Sequence, residues 1–96
     1  MPTHTVPPNQ EAVEVLEQAK AAAARGLVGY SRHAHDRMNE RGARAEDVLL
    51  AMKEATGATL KDNGTWRLSG GTDWDGDELD VVLDVRLDPI RVVTIM

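Results

Sequence analysis

The chain has 96 residues, 42% hydrophobic and 28% charged, which suits one domain with a single modest core and leaves no room for two. It has no cysteine and a net charge of −5. Disulfide frameworks and thiolate metal sites are therefore excluded, a broadly basic nucleic-acid surface is disfavoured, and no apolar run approaches the ~20 residues of a membrane span. The aromatic residues are Tyr30, Trp66 and Trp74, so the core must be aliphatic. The start, "MPTHTVPPNQ", has neither the basic residues nor the apolar run of a secretory signal, so the chain is expected to be cytosolic or a piece of something larger.

Charge is unevenly spread. Residues 1–29 carry three acids and two bases, residues 30–61 six bases and five acids, and residues 62–96 eight acids and three bases. A locally cationic segment in an acidic chain leaves room for a small phosphate-contacting site.

Residues 1–8, with Pro2, Pro7 and Pro8, read as an irregular lead-in, and 9–96 as one domain. His4 lies in that lead-in and receives no role. Asn9 suits an N-cap, and Ala12, Val13, Leu16, Ala19 and Ala23 recur at helical spacing, which predicts an amphipathic helix over 10–25 ended by Gly26. "LVGY" then bridges to Ser31, a good cap for a second helix from Arg32 to Arg41 stopped by Gly42. Val48, Leu49, Met52 and Ala55 give a third helix its apolar face before Gly57, although Arg44 and Ala45 stand where a capping Ser, Thr or Asp is expected.

Beyond Gly57 the period changes to two. "TWRLSG" is a short strand, "GTDWDGDE" supplies a turn, and Leu79, Val81, Leu83, Val85 and Leu87 alternate with Asp80, Val82, Asp84 and Arg86 as a half-buried strand. "DP" at 88–89 turns the chain into a last strand, "IRVVTIM". The expected architecture is α+β, with N-terminal helices packed on one face of a C-terminal antiparallel sheet.

The chemistry concentrates in "YSRHAHDRMNERG", residues 30–42. His33, Arg37 and Arg41 fall at i, i+4 and i+8 and share one helix face, each about 40° round from the one before. Guanidinium groups bind phosphate oxygens bidentately, and histidine alone changes charge near neutral pH. Cleaving RNA without a metal needs such parts: a base for the 2′-hydroxyl, an acid for the leaving oxygen and cations for the phosphorane. The plainer reading is a solvent-facing helix with Arg37–Glu40 and Arg41–Asp47 pairs. His35 lies about 200° from His33, which argues against a two-histidine metal site. The run "DWDGDELD" resembles the front of a calcium loop, but its glycine is misplaced and no bidentate Glu follows, so a solvated hairpin tip explains it better. Trp66 suits strand packing or a base stack, whereas Trp74 in an acidic turn suits a partner contact.

As a whole, "YSRHAHDRMNERGARAEDVLLAM" resembles the signature of the domain-of-unknown-function family numbered 4258, through His33-Ala34, Arg37-Met38, Glu40-Arg41-Gly42 and Val48, over about residues 28–96. That family is similar to the RelE-like and BrnT-like ribonuclease toxins. The resemblance implies a helices-then-sheet fold and RNA cleavage without metal or cofactor. It also implies a cognate antitoxin or immunity partner, no membrane or DNA target, and cytoplasmic action, with delivery in some members as the C-terminal part of a larger secreted toxin. By carry-over, His33 is the acid/base candidate and Arg37 and Arg41 hold phosphate; Arg32, Arg44 and Trp66 are the further substrate-contact candidates of this chain, Arg44 standing where the third helix is normally capped. The competing expectation is a non-catalytic protein-binding module on the same fold, using the acidic sheet half and Trp74. On the ribonuclease reading, His33, Arg37 and Arg41 project into a common cleft against the sheet.

Overall fold

The structure is a computed structural model that describes residues 8–96, so residues 1–7 of the expected lead-in, His4 among them, lie outside the described residues, whereas Pro8 already belongs to the first helix. Three helices and five strands follow in the order α1 (Pro8–Ala24), β1 (Val28–Tyr30), α2 (Arg32–Arg41), α3 (Ala45–Glu54), β2 (Gly57–Leu60), β3 (Trp66–Ser69), β4 (Val81–Asp84) and β5 (Ile90–Ile95). The strands form one sheet in the order β1-β5-β4-β3-β2. The fold is α+β as expected, but the sheet is mixed: β2 to β5 pair antiparallel, whereas β1 lies parallel to β5 with Val28 opposite Ile90. "LVGY" is therefore an edge strand rather than a bridge. No helix among the described residues is long and apolar enough to cross a membrane.

Period-two patterning sets the sheet's two faces. Trp66 and Leu68 of β3 and Leu79, Val81 and Leu83 around β4 are buried against Val15, Ala19, Val48 and Met52 of the helices. The opposite face carries Arg67, Asp80, Val82, Asp84 and Thr94, with Arg67 opposite Val82 and Val82 opposite Thr94. The alternation expected to continue to Leu87 stops after β4, because residues 85–89 turn and leave Leu87 exposed.

The ends of α2 follow from its sequence. Ser31 Oγ accepts the Ala34 N–H at 3.0 Å and donates to the Val93 carbonyl at 2.8 Å, so one hydroxyl both caps the helix and pins it to β5. The ladder between β4 and β5 has an irregularity at Val82/Leu83, and the chain passes from Thr94 to Val92 across it. Gly42 stops the helix at φ 72°, with the Gly42 and Ala43 N–H groups closing onto the Asn39 and Met38 carbonyls. A Cβ at Gly42 meets nothing within 4 Å, so Gly42→Ala carries only the left-handed backbone penalty. The expected loss is about 1 kcal/mol, a fall of roughly 4–8 °C in melting temperature. An unchanged melt contradicts this account of the helix stop.

α1 begins at Pro8, so Asn9 sits inside the helix rather than capping it. For α3 the missing cap is supplied from within. Asp47 in its first turn reaches back so that Oδ2 accepts the Arg44 N–H at 2.9 Å.

Candidate functional site

Ala34 and Met38 are the buried residues of α2 and fix its inward direction. At 100° per residue, Arg41 lies about 40° from that direction, Arg37 about 80° and His33 about 120°, all on one flank. The stripe therefore winds from solvent toward the sheet as the helix proceeds. Axially the three residues are spaced about 6 Å apart.

Their surroundings change along that path. His33 is exposed, and among the described residues it has no hydrogen-bond partner. Arg37 is 45% exposed and donates to Glu40 Oε2 at 3.1 Å, the pair anticipated by the plainer reading. Arg41 makes no pair with Asp47; its guanidinium donates to the Glu78 carbonyl oxygen. With Arg67, Glu78, Asp80 and Met96, Arg41 lines an open cleft of about 290 Å³. The expected common cleft is thus reached by Arg41 alone, while His33 and Arg37 face solvent upstream of it, because the helical drift carries them away from the sheet.

The further contacts separate in the same way. Arg32 opens α2 at about 140° from the inward direction, on the solvent pole and apart from the stripe. Arg44 is exposed beyond the helix stop, with its guanidinium 3.7 Å from Asp47 Oδ2. Trp66 is only 5% exposed and belongs to the core cluster. Strand alternation turns it toward the helices, so it presents no face for a base to stack on. His35 sits on the other flank of α2, its ring 5.6 Å from that of Tyr30, which is half-buried and whose phenol burial pushes up.

Two residues at the cleft were not singled out from the sequence as site residues. Arg67 Nε and Nη2 both approach one oxygen, Oδ2 of Asp80, at 2.8 and 2.7 Å. Asp80, read as part of a solvated tip, is instead 5% exposed, and its backbone pairs with Met96 in both directions. The signal was present: Asp80 alternates with Leu79 and Val81, and Arg67 with Trp66 and Leu68.

The acidic turn proper is built around two carboxylates. Asp73 Oδ1 accepts the N–H groups of Asp75 and Asp77, each at 2.9 Å, and Asp47 Oδ1 accepts that of Trp74 at 3.0 Å. Trp74 is 63% exposed on this held turn. Among the described residues no three His, Asp or Glu side chains converge as a metal site requires.

The backbone N–H groups of Arg44 and then Trp74 hold the Asp47 carboxyl below its usual range. A side-chain hydrogen bond from Arg86 does the same for Asp84. A carboxyl with a lowered folded-state pKa stabilises the fold above its unfolded value of about 4 and loses that contribution as pH falls through the folded value. Asp47→Asn is expected to be about 1–2 kcal/mol less stable at pH 7, with the difference shrinking toward pH 3 in thermal melts. An equal difference at both pH values contradicts the assignment.

A family model described as "Domain of unknown function (DUF4258)" matches residues 30–96. The chain belongs to this family. The match begins at Tyr30, the last residue of β1, and takes in α2, the cleft and the whole of β2 to β5, leaving out α1. No curated protein and no solved structure matches the chain.

Proposed function

We propose that this DUF4258 domain is an RNA-directed toxin domain that cleaves the phosphodiester backbone by attack of the RNA's own 2′-hydroxyl. The observation that carries the reading is the cationic flank of α2, which leads from His33 through Arg37 to Arg41 and on to Arg67 across the cleft. Four residues of helix, about 6 Å of rise, separate successive members on α2, so the flank suits a strand with phosphates in series better than a single small anion. In this reading His33 moves the proton and Arg37, one turn away, meets the charge of the phosphorane, while Arg41 and Arg67 hold a neighbouring phosphate.

The contacts of Arg37 and Arg41 do not block these roles, and Arg67, held on Asp80, meets phosphate with its remaining N–H groups. An exposed pair such as Arg37–Glu40 is worth about 0–1 kcal/mol, less than a bidentate contact between guanidinium and phosphate. Arg41 rests on a neutral carbonyl, which a phosphate outcompetes. The proposed site of action is the cytoplasm of the affected cell, and a cognate antitoxin or immunity protein would mask the flank.

Expression in a bacterial host without any neighbouring gene tests the proposal. The expected result is growth arrest with RNA degradation, relieved by Arg37→Ala. Normal growth with folded protein accumulating contradicts it. A second reading, a protein-binding module, is favoured by Trp74, a large exposed aromatic on a turn fixed by Asp47. It predicts no arrest and a partner lost on Trp74→Ala.

A further inference from the structure

Asp80, which lines the cleft beside Arg41, carries one buried oxygen that no group among the described residues satisfies. Asp80 directs Oδ2 at Arg67, which takes both guanidinium contacts, while Oδ1 is buried with no hydrogen-bond partner. Buried carboxylate oxygens are almost always paired, and one left open lowers stability unless a donor arrives. A donor from outside the described residues would meet it in a space whose other walls are Arg41, Arg67, Glu78 and Met96.

Two guanidinium groups and one free carboxylate oxygen select a particular ligand. An anion alone satisfies the arginines and is repelled by Oδ1; a cation alone does the reverse. A group that presents an anion with a hydroxyl donor beside it satisfies both. The ribose 3′-phosphate of RNA is such a group, because its 2′-hydroxyl lies next to the phosphate, and DNA lacks that donor. We propose that this cleft is a ribonucleotide subsite in which Arg41 and Arg67 take the phosphate and Asp80 Oδ1 accepts the hydrogen bond of the 2′-hydroxyl. Asp80 is then a residue that selects RNA over DNA. Oδ1 is shielded in the unliganded cleft, so admission of the hydroxyl requires a neighbouring side chain to shift. Arg41, exposed and held by the Glu78 carbonyl, is the side chain that can make this shift, while Arg67 stays on Oδ2 of Asp80. The inference rests on the RNA-directed reading of the same surface, although it concerns binding and not cleavage.

The test uses adenosine 3′-monophosphate and 2′-deoxyadenosine 3′-monophosphate, neither of which has a 5′-leaving group to be cleaved. Binding to the wild-type protein and to Asp80→Asn is followed by NMR titration. The ribonucleotide is expected to bind roughly tenfold or more tightly than the deoxynucleotide to wild type, with shifts at Arg67 and Met96. The preference is expected to vanish in Asp80→Asn, whose amide offers a donor where Oδ1 accepts. Equal binding of the two nucleotides by wild type overturns the proposal, as does a preference retained by folded Asp80→Asn, or shifts confined elsewhere. The wild-type comparison decides alone if Asp80→Asn fails to fold. A ribonucleotide preference in a protein that leaves RNA intact upholds the subsite and removes the cleavage reading. Cleavage without the preference does the opposite.

Discussion

His33→Ala is expected to slow the proposed RNA cleavage by about 10²–10⁴-fold, the usual contribution of a positioned acid or base. Arg37→Ala is expected to cost a comparable factor by removing charge stabilisation from the phosphorane. The structure makes these losses interpretable. His33 and Arg37 are exposed, and neither belongs to the buried stripe of Ala34 and Met38. Substitutions at such positions change stability by only about ±0.5 kcal/mol, so both variants should melt with the wild type. Arg37→Ala also deletes a surface pair to Glu40 whose worth is too small to disturb the fold. Full activity in His33→Ala would remove histidine from the mechanism, and a large drop in its melting temperature would make the loss structural.

The largest effect on stability is expected at Gly71, which is not on α2 at all. It is buried beneath α3, and its carbonyl accepts the Leu79 N–H at 3.1 Å. A Cβ built there stands 2.9 Å from Ala51 Cα and closer still to the Ala51 carbonyl oxygen. Those atoms are backbone in the middle of a helix and cannot rotate aside. Gly71→Ala must therefore push α3 off the sheet or break the pairing that leads into β4. The expected loss is about 3 kcal/mol, the upper end for overpacking, and roughly 12 °C or more in melting temperature. The contrast with Gly42→Ala, which meets no atom, separates a steric role from a conformational one. Equal losses at the two positions would contradict this distinction.

Legibility in the sequence followed the range of the interactions. Ser31 and Gly42 bound α2 by local hydrogen bonds, and those limits agree with the structure to the residue. The strands with strong alternation, β3 to β5, were also readable. β1 was not, because its three residues are a strand only through parallel pairing with Val92 and its neighbours far along the chain. β2, "GATL", was hidden by its glycine and alanine, which have little strand propensity, and its pairing with β3 supplies what they lack.

The site divides along the same line. The one-flank arrangement of His33, Arg37 and Arg41 is a property of helical period and could be counted. Which of the three reaches the sheet depends on the packing angle set by Ala34 and Met38, and only Arg41 arrives. Arg67 and Asp80 could be assigned by parity to the sheet face opposite Trp66 and Leu68. Their meeting with Arg41 needs the crossing of α2 over the end of β5, which no local pattern records. Trp66 fell to the core for the reason that Arg67 did not: adjacent strand residues face opposite ways.

The proposed activity is tested most directly by incubating the purified wild-type chain with end-labelled RNA in excess chelator and identifying the ends of the products. Attack by the 2′-hydroxyl predicts cleavage that chelator does not abolish, fragments ending in a 2′,3′-cyclic phosphate, and intact DNA in a parallel reaction. RNA left uncut by folded protein, or fragments bearing 3′-hydroxyl ends, would contradict the account.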